Sequence, residues 1–133
     1  MAAATTSIQM EPREILTIVI KITVVCDHII FQTILVSGGL MNNVHLSSTE
    51  LLLETGSAWV TARDLPSPRA SLRGANIDNK ILMTGGEDNF SNTLNEILEF
   101  DPLTGQWKLV DRMIQARAYQ AVSVVNFESE LCL

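Results

Sequence analysis

Basic residues are scarce in this chain: nine Lys and Arg stand against fifteen Asp and Glu, for a net charge of −6. No two of the nine are adjacent, so the chain lacks the cluster that neutralises phosphates, and nucleic acid is not an expected partner. Cysteine is rarer still. Cys26 and Cys132 form no C-x-x-C and no metal-ligand spacing. Both sit in apolar, strand-like surroundings and read as buried thiols, which fits a reduced cytoplasmic compartment. The two histidines, His28 and His45, lie 17 residues apart, neither near a nucleophile–acid arrangement. His28 beside Cys26 and Asp27 reads as a core or edge histidine before a metal ligand. Glu96 and Glu99 would point to opposite faces of a strand, unlike paired catalytic carboxylates. G-x-G-x-x-G, P-loop and G-x-S-x-G patterns are all missing. The expectation is a non-enzymatic chain with no cofactor and no metal. Asn89-Phe90-Ser91 matches a glycosylation acceptor, which matters only on a secretory route.

A clean membrane span is lacking as well. The apolar run from Ile15 to Val36 is broken by Lys21, Asp27, His28 and Gln32. An ionisable group at mid-span costs roughly 2.5–3.5 kcal/mol on insertion scales. The run follows Glu11, Arg13 and Glu14, and no A-x-A cleavage site comes after it, so it does not read as a signal peptide. Val, Ile and Thr dominate it, which favours strands. A hydrophobic share of 47% suits one globular domain of 133 residues and excludes wholesale disorder.

What is present is a repeat. Ile34-Leu35-Val36-Ser37-Gly38-Gly39 returns as Ile81-Leu82-Met83-Thr84-Gly85-Gly86. Trp59 follows Gly39 by 20 residues, and Trp107 follows Gly86 by 21. Arg69-Ala70 and Arg117-Ala118 each begin 10 residues beyond the Trp. The period is 47 residues between the Gly pairs and 48 between the tryptophans. Self-similarity on that scale marks a repeat architecture whose units bury a core only by stacking.

Each unit reads as four antiparallel strands. Ile15 to Val25 suggests one or two strands, and Ile34–Ser37 a short buried one. Leu40–Ser48 is a loop, Thr49–Glu54 a strand, and Ala58–Thr61 another around Trp59. Asp64-Leu65-Pro66-Ser67-Pro68 is a turn, since prolines are excluded from a central strand. In the second copy, Ser71–Ile77 and Lys80–Thr84 flank an Asp78-Asn79 hairpin turn. Glu87–Asn95 is a polar loop. Glu96–Phe100 alternates charged and apolar residues, as a half-buried strand does. Asp101-Pro102-Leu103-Thr104-Gly105 is a turn, and Gln106–Val110 closes the unit. No segment has helical periodicity.

A Gly pair after an apolar strand, then Glu99-Phe100-Asp101-Pro102 and Gly105-Gln106-Trp107, resembles the kelch repeat. The likeness covers Ile34 to Leu133, strongest from Pro68-Arg69 to Trp107. It implies an all-β fold, an incomplete kelch-type β-propeller with four-stranded antiparallel blades. Residues 1–33 are left unassigned, 34–68 form most of one blade, 69–110 a complete one, and 111–133 the start of a third. In such a fold Gly38, Gly39, Gly85 and Gly86 permit close backbone approach. Trp59 and Trp107 would wedge between blades, and Arg69 and Arg117 would bond backbone carbonyls at blade junctions.

Four blades need more chain than this, and the last unit stops midway. A part of a longer propeller, a truncated gene model, or completion by oligomerisation is therefore expected. The resemblance implies a protein-interaction module that binds a protein or peptide through loops on one face. Recruitment to a cullin-type ubiquitin ligase and actin binding are both family roles. Glu87, Asp88, Asn89, Phe90, Ser91 and Asn92 are the candidate binding loop, suited to a basic or amphipathic peptide. An oxidase or isomerase site, as in some kelch propellers, and a nonfunctional remnant are the alternatives.

Overall fold

The computed structural model describes residues 18–26, 29–53 and 58–125. Cys132, His28 and the segment 126–133, expected from sequence to belong to the start of a third blade, lie outside the described residues. Ten strands form two four-stranded antiparallel sheets and one small hairpin, with no helix among the described residues.

The first sheet runs in the order β1 (Ile18–Cys26), β2 (Ile29–Ser37), β5 (Thr49–Leu53), β6 (Trp59–Ala62). It begins inside the segment unassigned from sequence: Ile18 pairs with Ser37 and Cys26 with Ile29. β1 is thus the opening strand that the first repeat lacks by motif. The strand expected within Ile15 to Val25 was not assigned to this blade because β1 has strand composition but none of the Arg-Ala landmarks. Between β2 and β5, β3 (Leu40–Met41) and β4 (Val44–His45) form a two-residue hairpin within the expected loop. Its turn residues Asn42 and Asn43 have φ of 51° and 63°. Asn tolerates this left-handed conformation better than most residues, and paired positive φ matches a strand twist.

The second sheet runs β10 (Gln106–Arg112), β9 (Glu96–Asp101), β8 (Lys80–Thr84), β7 (Arg73–Ile77). Asp78-Asn79 turns β7 into β8 with φ of 46° and 62°. Asp101 turns β9 into β10: its Oδ1 accepts from the Leu103 N–H at 2.9 Å, and its carbonyl from the Gly105 N–H at 2.7 Å. β7 follows β1 in contact, so the two inner strands of the sheets lie side by side.

The core sits between the sheets. Ile81 and Met83 on β8 face Phe100 and Leu98 on β9, all essentially without exposure. Leu35 meets them from the first sheet, with Leu65 and Leu72 from the connection, and Leu51, Ala62 and Trp107 pack around the edge. Leu35 is the repeat mate of Leu82, whereas the buried pair on β8 is Ile81 and Met83. The two sheets therefore present opposite faces to the shared core. That explains why both strands are continuously apolar, Ile-Leu-Val and Ile-Leu-Met, instead of alternating.

The same geometry gives the two tryptophans different surroundings. Trp107 pairs with Phe100 across the ladder, and their ring centroids stand 4.9 Å apart. Its Nε1–H donates to the Arg63 carbonyl at 2.9 Å, stitching the second sheet to the end of the first. Trp59 pairs with Leu52, which pairs with Ile34, so it shares their face and not that of Leu35. It is half-buried and stands outside the shared core. Tandem units turn the same face the same way, so the two indoles cannot meet.

Candidate interaction site

Three backbone hydrogen bonds link the Gly pair of one unit to the Arg of the next. In the first copy, the Gly39 N–H donates to the Arg69 carbonyl, Arg69 N–H to Leu46 carbonyl, and Leu46 N–H to Gly39 carbonyl, at 2.9, 3.0 and 2.8 Å. The second copy repeats this with Gly86, Arg117 and Leu94, at the same three distances. The recurrent arginines act here through their main chain. A Cβ on Gly38 would stand 2.5 Å from the Arg69 carbonyl oxygen, and one on Gly86 2.6 Å from that of Ala70. At Gly85 it would run into the Arg117 carbonyl. All three also hold positive φ, which a side chain strains.

The two guanidinium groups differ. Arg69 is 1% exposed and donates from Nη2 to Glu96 Oε2 at 2.7 Å and to Ser67 Oγ at 2.6 Å. Its one main-chain acceptor, the Ser67 carbonyl, lies 3.4 Å from Nε. A carboxylate is thus its principal partner, because a buried guanidinium is best compensated by an opposite charge. Arg112 forms an ion pair with the other oxygen of Glu96 at 3.4 Å. Arg117 is exposed.

The clasp anchors the loops beside it. Six residues separate Gly39 from Leu46 in the first copy and seven separate Gly86 from Leu94 in the second, which accounts for the 47- and 48-residue periods. The added length goes into the 87–95 loop, and Asp88 organises it. Asp88 Oδ1 accepts from the N–H groups of Phe90 (2.8 Å) and Asn92 (2.9 Å), and Oδ2 accepts from Asn92 Nδ2 at 3.0 Å. Bonding from the Asn92 side chain first, then from backbone N–H groups, holds the Asp88 carboxyl below its usual range. Ser91 takes a φ of 61° so that the loop can return.

Of the six candidate residues, Glu87, Asp88, Asn89 and Asn92 carry side-chain bonds within the chain. Glu87 pairs its backbone with Ala70 in both directions and accepts from the Tyr119 hydroxyl at 3.2 Å. Asn89 Oδ1 accepts from the His45 backbone N–H at 2.9 Å, tying the loop to the β3–β4 hairpin. Phe90 stands out at 84% exposure, with Ser91 and Asn92 exposed beside it. His45, Leu94 and Tyr119 escaped the sequence reading. Leu46 and Leu94 recur at 48 residues and offered a signal, whereas Ser71 and Tyr119 hold equivalent positions without sharing a residue type. Ser71 and Tyr119 share a positive φ, of 60° and 59°.

Two four-stranded antiparallel sheets, face to face with their first strands side by side, are blades of a β-propeller. The solved structure of YjhT, a kelch propeller, is similar over 80% of this chain and 30% of its own, with TM-score 0.53 and 17% identity. A family model for the Kelch motif matches residues 68–114, which span the second blade. Kelch-like protein 35 of Mus musculus is 37% identical over 76 residues, 56% of this chain. Residues 68–114 thus carry a kelch motif, set in the fold of kelch-type propeller blades. The chain spans 12% of the length of that mouse relative.

Proposed function

We propose that this chain is a non-enzymatic docking module that binds a protein or peptide through the loops beside its Gly pairs. The observation that carries this is Phe90: a large apolar side chain, 84% exposed, on a loop whose backbone is already fixed by Asp88. An aromatic held in place before binding loses little conformational freedom on contact, which is what an interface anchor requires. Glu87 and Asp88 lie beside it, and neither 38–48 nor 85–95 contains Lys or Arg. That charge favours a basic or amphipathic segment carrying an apolar residue for Phe90. The kelch motif at residues 68–114 supports a cytoplasmic role in substrate recruitment to a cullin-type ligase or in actin binding.

The test is selection of peptides on the folded chain, followed by titration of the selected sequences against Phe90→Ala. Affinity should fall at least about 30-fold, the loss of a central aromatic anchor, with the thermal midpoint unchanged. Equal affinity for both proteins removes Phe90 from the interface.

A further inference from the structure

The residues that build the blade junction recur from one unit to the next, and three large apolar side chains beside it do not. Met41 is 56% exposed, Val44 55% and Phe90 84%. Met41 stands two residues after Gly39, where the second unit has Asp88 after Gly86. Val44 stands two before Leu46, where the second unit has Asn92 before Leu94. Phe90 in turn matches Asn42 or Asn43 of the first unit, counted back from Leu94 or forward from Gly86. One unit or the other thus folds with a polar residue at each of these places, and packing does not call for the apolar one.

These side chains sit on two separate loops, and hydrogen bonds join the loops. Met41 and Val44 are directly opposed in the β3–β4 hairpin, which puts both on one face of it. The next residue, His45, donates its backbone N–H to Asn89 Oδ1 at 2.9 Å, and its ring Nδ1 lies 3.0 Å from the same oxygen. Asn89 immediately precedes Phe90, whose own N–H donates to Asp88 Oδ1. Val44 and Phe90 are therefore each one residue from the contact that fastens the hairpin to the loop. Glu87 and Asp88 supply negative charge beside them, and no Lys or Arg belongs to 38–48 or 85–95.

We propose that Met41 and Val44 form a second anchor beside Phe90, so that one docking surface crosses both blades. Its partner is a basic segment of another protein with two apolar side chains, one for Phe90 and one for the Met41–Val44 pair. Lys or Arg in that segment answers Glu87 and Asp88. The inference rests on the docking function proposed above and adds the contact from the first blade. Asn89 is the positioning residue that keeps the two anchors at a fixed spacing. Once one anchor is engaged the other binds within the same complex, without a second loss of translational freedom.

A random peptide library selected on the folded chain supplies the probe. Selected sequences should carry two apolar residues and at least one Lys or Arg, and sequences that are acidic or uncharged overturn the proposal. Titrated with a selected synthetic peptide, Met41→Gln combined with Val44→Thr should lose at least about tenfold in affinity, with the thermal midpoint unchanged. If that double variant melts lower, Val44→Thr alone, which keeps the β-branch, carries the test with a loss of about threefold. Replacing the peptide's Lys and Arg by Gln should also weaken binding at least about tenfold. Asn89→Ala frees the loop from the hairpin and should weaken binding with all three anchor side chains intact. Full affinity in the hairpin variants, with a loss in Phe90→Ala, overturns the second anchor and keeps the docking function. Full affinity in Phe90→Ala overturns both.

Discussion

Gly38 and Gly105 share a φ of +68°, yet their surroundings differ completely. Gly38 faces the Arg69 carbonyl, and Gly105 has nothing within 4 Å of the place a Cβ would occupy. Gly105→Ala should cost only the conformational strain, about 1 kcal/mol. Gly38→Ala adds a collision with backbone that cannot move without breaking the clasp, and should cost roughly 2–4 kcal/mol. Urea denaturation of the two variants measures the difference, and equal costs would discard the close-approach explanation. Asp88 yields a prediction in pH. Its carboxyl lies below the usual range in the folded chain, so the order it supplies is present above the unfolded value, about 3.9. That order should be lost as pH falls through the lower, folded value. The Phe90 and Asn92 amide resonances report it, and Asp88→Ala should show the disordered loop at every pH.

Strands differ in how openly they announce themselves. Lys80–Thr84 was legible to the residue, because its bounding Asp78-Asn79 and Gly85-Gly86 are strong turn signals. β2 was read as starting at Ile34 and begins at Ile29, since no turn residue separates Phe31 from the repeat motif. The β3–β4 hairpin hid in Leu40–Ser48, where Asn42-Asn43 reads equally as a loop. Facing was harder still. Blades covered on both sides lose the alternation that tells inside from outside, so sequence could not show that Trp59 and Trp107 point the same way round. For Trp107 the consequence is measurable. Trp107→Phe keeps an aromatic against Phe100 but removes the bond to the Arg63 carbonyl, and should destabilise by about 0.5–1.5 kcal/mol. Trp59→Phe removes no contact with the shared core and should leave that core's amides unshifted in a heteronuclear spectrum.

Taken whole, the two blades share one core and should melt together. Phe100, fully buried between Ile81 and Trp107, belongs to the second sheet but seals the contact with Leu35 of the first. Phe100→Ala should cost about 3–5 kcal/mol and loosen both sheets at once. Single-tryptophan variants make this visible, since Trp59 reports the first blade and Trp107 the second. Coincident denaturation midpoints are expected, as for repeat units coupled through an interface. Separate midpoints would mean that Leu35 and its neighbours contribute little coupling.

The clasp joining consecutive blades is made of peptide groups alone, from Gly39, Leu46 and Arg69 and again from Gly86, Leu94 and Arg117. Peptide groups are common to all residues, so the joint places few demands on the side chains of the loops it holds. An engineer could therefore randomise positions 41–44 and 89–92 while leaving the scaffold's fastening untouched. The one-residue difference in length between the two loops already shows that the joint accepts insertions there.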